Sequence, residues 1–142
     1  MIVITIPLDP VSWAVPRLSR HGCYDPREKD KRAIRWLIRQ QYDDPPISDY
    51  VSLFFEFVFK PPASATKKAK QQMLDRHIIP TRSDCTNLQK LYEDCLKKIV
   101  IIDDRIVEEI TSVKRYGEKP QVTIKILRRE EYFNRLSHAN CN

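Results

Sequence analysis

Ile2, Ile4 and Ile6 alternate with Val3 and Thr5, and Pro7 follows at once, a pattern that predicts a first strand ended by the proline. Residues 10–24, with Pro10, Pro16 and Gly22, show no period and read as a basic loop. Asp25, Pro26 and Glu28 then stand as cap, first and third residues of a helix whose apolar side is Ile34, Leu37, Ile38 and Tyr42. The run DDPP at 43–46 stops it. In YVSLFFEFVFK, Val51, Leu53, Phe55, Phe57 and Phe59 share one face and Ser52, Glu56 and Lys60 the other, which makes a strand and the most apolar one of the chain. After Pro61 and Pro62, Ser64 is placed to cap a short basic helix, ATKKAKQQML. Leu88, Leu91, Tyr92, Cys95, Leu96 and Ile99 follow the three-and-four spacing of a helix packed on a core, with Thr86 and Gln89 as its capping box. Residues 106–116 and 121–127 read as two strands joined by GEKP, hence a hairpin.

Four strands and three helices in this order predict a single α/β (α+β) domain: a mixed sheet of about four strands, at least one pair antiparallel, with helices against it. The core spans 2–127, and 128–142 is a C-terminal tail. At 142 residues the chain suits one domain. No apolar run approaches the ~20 residues of a membrane helix, and the opening lacks the basic start of a signal peptide. A cytoplasmic protein is therefore expected, without a membrane. Cys23, Cys85, Cys95 and Cys141 have neither the mutual spacing nor the histidines of a zinc site and are expected as reduced thiols.

Charge changes the picture. The net +6 is concentrated: residues 17–39 hold eight basic against three acidic side chains, and residues 60–90 seven against two. Such asymmetry is the footprint of a phosphate-backbone binder, although either segment alone could be a solvated helix face. Within this basic surrounding, Asp84 precedes the third helix, and Asp103 and Asp104 follow it. If the chain turns sharply after Lys98 and runs back, the three carboxylates meet in space. A divalent cation would relieve their repulsion, and Mg²⁺ or Mn²⁺ prefers carboxylate oxygen. The plain alternative is a charge favourable at a helix start and an ordinary turn.

The stretch RSDCTNLQKLYEDCLKKIVIIDDRIV resembles the signature of the RusA-type Holliday junction resolvases, commonly of phages or prophages, whose pattern is roughly D-x-D-N-L-x-K, a helix, then D-D. FKPPASATKKAK and the first strand with its basic loop are similar as well, so the resemblance spans about 2–127. It implies a RusA-like fold and a small homodimer that uses Mg²⁺, with Mn²⁺ as a substitute, to resolve four-way DNA junctions by paired symmetric nicks in recombination and repair. Position by position, it makes Asp84, Asp103 and Asp104 catalytic and metal-binding, and Lys90 a catalytic cation that neutralises charge on the phosphate. Asn87 matches the motif asparagine and is assigned to DNA with Lys90. Arg17, Arg20, Lys67, Lys68, Lys70 and Arg82 are assigned to DNA by their place in the basic segments. No nucleotide cofactor is implied. The sequence departs from the pattern twice. Thr86 replaces the second aspartate, leaving a hydroxyl as a weaker metal ligand, and Lys98 stands where a glycine often ends the helix. His21 and His77 receive no catalytic role, and Trp13 is a candidate to stack on an exposed base. The rival readings are a junction-binding protein without nuclease activity and a flap or branched-DNA nuclease.

Overall fold

The computed structural model describes residues 1–140, so Cys141 lies outside the described residues. Eleven elements follow in order: β1 (Ile2–Ile6), β2 (Arg17–Ser19), β3 (Gly22–Tyr24), α1 (Glu28–Gln41), β4 (Val51–Phe59), α2 (Lys67–Leu74), α3 (Cys85–Leu96), a 3₁₀ turn (Asp104–Ile106), β5 (Val107–Tyr116), β6 (Gln121–Arg128) and α4 (Arg129–Ala139). The expected single α+β sheet domain is what the described chain forms: a four-stranded mixed sheet, ordered β1-β6-β4-β5, with α1 and α3 packed on one face through a shared core. No helix among the described residues is long and apolar enough to cross a membrane.

The order of the sheet corrects the expected hairpin, because β5 and β6 are not neighbours. β4 lies between them, parallel to β5 and antiparallel to β6. Its residues explain this. Val51, Leu53, Phe55 and Phe57 are buried on the helix side, and Ser52 and Val58 are buried on the other, so a strand dry on both faces takes the centre. The parallel pairing needs a crossover, which α2 and α3 supply. Residues 117–120 step across the end of β4 instead of turning a hairpin; two interstrand spacings, about 10 Å, are within reach of four residues. Gly117 allows that close passage. Its N–H donates to the Phe59 carbonyl at 2.9 Å, and a Cβ there would lie 2.5 Å from Cγ1 of Val58.

Caps also sit differently from the expectation. Thr66, not Ser64, caps α2 by accepting from the Ala69 N–H at 3.1 Å. Asp25 accepts from the Arg27 N–H in a turn before α1, which starts at Glu28. The N-cap of α3 is Asp84 and not Thr86, while Gln89, freed from a capping box, accepts from the Ser112 hydroxyl at 2.6 Å. Three elements arise where none was expected: β2 and β3 form a small ribbon in the basic loop, and α4 occupies the tail.

The core side of α3 is as its spacing predicts, with Leu88, Leu91, Tyr92, Cys95 and Leu96 buried. Tyr92 packs at 5.5 Å against Phe57 with the rings tilted by 50°, and Phe57 is stacked on Phe55, which ties the helix to the central strand. Burial pushes the Cys95 thiol up to about 12, and Cys23, Cys85 and Cys95 are free thiols as expected. Lys98, in the turn just after the helix, has φ 65°. This left-handed conformation costs a non-glycine residue about 1–2 kcal/mol. Lys98→Gly is accordingly expected to stabilise the fold by about 1 kcal/mol, a rise of about 3 °C in thermal midpoint. An unchanged or lowered midpoint would contradict the strain assigned to this turn.

Candidate functional site

α3 is the rod on which the candidate residues are mounted, and its two ends carry separate groups. At the start, both oxygens of the exposed Asp84 carboxylate are engaged by Asn87: Oδ1 accepts from the backbone N–H at 2.7 Å and Oδ2 from the side-chain amide at 3.2 Å. A capping carboxylate retains lone pairs for a further partner, since an ionised carboxylate offers about four acceptor sites. Asn87, expected at DNA, thus holds Asp84 in place. Thr86 is exposed on the same first turn.

Lys90, one turn further, is exposed, and its ammonium lies 3.6 Å from the centroid of the Trp13 ring. The loop bearing Trp13 is fastened to the helix, for the Trp13 N–H donates to the Asn87 carbonyl at 3.0 Å and the Val11 N–H to the Tyr92 hydroxyl at 3.1 Å. Trp13 is therefore not held out for a base: its ring packs partly buried against the core and supports Lys90. Asp94, one turn beyond Lys90, is 3.4 Å from Lys97 and 4.0 Å from Lys31.

At the far end lie Asp103 and Asp104. Lys97, the C-cap of α3, reaches Asp104 Oδ2 at 2.9 Å, and Arg105 reaches Asp103 Oδ2 at 3.3 Å. A hydrogen bond with the Asp104 side chain, followed by those from the Arg105 backbone and guanidinium, holds Asp103 well below the usual carboxylate range. Burial, and then the nearby Asp104, push Glu93 upward. These contacts place the acid pair beside the last turn of α3.

The expected return of Asp103 and Asp104 to the level of Asp84 is therefore a correction. The twelve-residue helix separates its two ends by about 18 Å. The segment after the helix cannot run back along it, because buried Val100 and Ile101 anchor it to the loop after α1. There the Ile47 N–H donates to the Val100 carbonyl at 2.8 Å and the Ile102 N–H to the Ile47 carbonyl at 3.1 Å. Among the described residues no three His, Cys, Asp or Glu side chains are grouped to hold a metal ion. Within the chain, Asp84 is therefore not grouped with Asp103 and Asp104.

The basic residues fall on several elements. Arg17 and Arg20 are exposed on the β2–β3 ribbon, and Lys67 and Lys68 on the outer side of α2. Lys70 and Lys60 line one hollow beside α2, while Lys60, Arg27 and Arg82 line a second beside the start of α3. Arg27, Lys60 and Ser12 were not singled out from the sequence as site residues. Only the counting of cations in the two basic segments pointed toward Arg27 and Lys60, and nothing in the pattern distinguished Ser12.

A family model described as Endodeoxyribonuclease RusA matches residues 7–127. No curated protein matches the chain.

Proposed function

Because the chain belongs to the RusA endodeoxyribonuclease family, we propose that it is a structure-specific endodeoxyribonuclease, resolving four-way DNA junctions by paired symmetric nicks in recombination and repair. The observation that carries this reading is the start of α3. There an exposed carboxylate, Asp84, and an exposed ammonium, Lys90, lie on the first two turns of the helix, with Arg27, Lys60 and Arg82 lining the adjacent hollow. Cations of this density attract a phosphate backbone, and their placement on loops and two helices favours recognition of DNA shape over base sequence.

In this reading Asn87 orients the Asp84 carboxylate, and Trp13 presents the Lys90 ammonium to the phosphate, where it offsets developing negative charge. Arg17, Arg20, Lys67, Lys68, Lys70 and Arg82 hold the junction arms. Mg²⁺, or Mn²⁺, is proposed as the cofactor that supplies hydroxide and neutralises the attacked phosphate. The separation of Asp84 from Asp103 and Asp104 bears on how it is held. A homodimer in which the start of one α3 meets the end of another would join the two acidic groups. The same symmetry supplies the two sites that paired incision needs. DNA makes the cytoplasm of a bacterium or an infected host cell the proposed place of action.

Purified protein is to be incubated with labelled four-way junction, flap and linear duplex, with and without Mg²⁺. Paired symmetric nicks in the junction, dependent on the metal, are expected. Single nicks in flaps alone would transfer the reading to a branched-DNA nuclease. Retarded junction without any cut would leave a junction-binding protein.

A further inference from the structure

A cationic hollow adjoins the residues that lead into Asp84. Its volume is about 380 Å³, and its walls come from the loop at 9–12, Arg27, the end of β4 and the residues leading into α3. Arg27, Lys60 and Arg82 face Asp9 as the only lining acid, so the balance is positive. Among the described residues neither Lys60 nor Arg82 has a carboxylate within ion-pair distance. Arg27 is fixed across the cavity by donating from Nε to the Ser12 carbonyl at 3.0 Å. The Ser12 hydroxyl oxygen is shut off from solvent and has no hydrogen-bond partner. A phosphate oxygen is no smaller than water, so this hydroxyl is beyond its reach and the cations carry the site.

We propose that this cavity seats one phosphate of the DNA backbone, held by Lys60, Arg82 and Arg27. The proposal rests on the nuclease reading for the carrier of the phosphate, and it deepens that reading by giving the strand a fixed register. The site is preformed: the hydrogen bonds of Val11 and Trp13 hold the loop on α3, so little order remains to be imposed on binding. Ser83, which lines the cavity, is next to Asp84 in the chain, and its carbonyl accepts from Lys114 Nζ at 2.7 Å. A phosphate seated here lies next to the carboxylate assigned to the reaction. Lys60 also lines the hollow that holds Lys70, so the strand has a continuous basic path toward α2.

Two measurements test this on the full chain. Inorganic phosphate is titrated into ¹⁵N-labelled wild type and Lys60→Gln/Arg82→Gln, whose changed residues are exposed and unpaired. Saturable shifts of the Ser12 and Ser83 amides are expected in the wild type and not in the double variant. No saturable shift in the wild type, or its persistence in the variant, would overturn the site. Junction binding is then measured against salt for the wild type, both single variants and the double. Each lost phosphate contact lowers the log–log slope by about 0.9 on duplex DNA. If both cations serve one phosphate, each single variant keeps a cation on it and lowers the slope by no more than the double, which lowers it by one step. An unchanged slope in the double, or twice the step, would contradict a shared phosphate. Should the wild type bind no junction, the nuclease reading fails while the phosphate titration still decides the cavity.

Discussion

Asp84→Asn is expected to lower junction cleavage by more than about 100-fold while fold and junction affinity stay close to wild type. Replacing a residue that merely supports a metal ligand already costs about 10–100-fold, so loss of a proposed ligand charge should cost more. The choice of asparagine follows from the cap. Asp84 ends the helix by accepting from the Asn87 N–H, and asparagine caps about as well as aspartate, so α3 keeps its start. Asp84→Ala would confuse the two roles, because a lost cap alone costs about 1 kcal/mol. Single-turnover cleavage, thermal melting and gel retardation of the junction, measured on the same preparation, separate them. Cleavage near the wild-type rate with an unchanged melt would leave Asp84 as a helix cap and remove it from the reaction.

The readability of this chain divides along a physical line. Periodicity located β1, β4 and the buried side of α3, because a strand or helix must place its apolar side chains on the core whatever surrounds it. Adjacency was less legible. GEKP between two strands resembles a hairpin loop, and only the burial of Val58 and Ser52 on the far face of β4 explains why that strand separates β5 from β6. The cap of α3 was ambiguous for a local reason: Asp84 and Thr86 are both good capping residues, each three positions before a possible N–H partner, and in the structure it is the Asn87 N–H that is capped, by Asp84. α4 has an apolar side too sparse to announce itself: Phe133 and Leu136 remain 50% and 43% exposed.

The candidate site was legible in kind and not in arrangement. The motif identified Asp84, Lys90, Asp103 and Asp104 as side chains worth following, but their mutual distance depends on the route taken after Lys98. That route is set by Val100 and Ile101, which look in sequence like any apolar pair and whose burial against Ile47 keeps the acids at the far end of the helix. The role of Trp13 was hidden for the same reason, since its support of Lys90 requires a loop some seventy residues away in sequence to lie on α3.

Mixed dimers provide the second large effect, because the separated acidic groups make a definite arithmetic of sites. Asp84→Asn and Asp104→Asn homodimers are each expected to be inactive, every site having lost one contributor. When differently tagged copies are co-expressed and the mixed dimer is isolated, the losses are distributed unequally. One shared site then contains both substitutions, and the other contains the intact Asp84 of one copy with the intact Asp103 and Asp104 of the other. Cleavage should return in the mixed dimer as single nicks, without the paired product, at about half the incision rate of the wild type per dimer. The substitution at 104 leaves Lys97 with Asp94 as its remaining charged partner, and the lost pair is substantially exposed and contributes little, so stability should change by under about 1 kcal/mol. If each chain built its own site after a rearrangement, both sites of the mixed dimer would carry one substitution and no activity would return. An inactive mixed dimer with a wild-type melt would therefore rule out sharing between copies and require the acid pair to reach Asp84 within one chain. Restored single incision would instead make the distance between the ends of α3 the reason that the enzyme acts as a dimer.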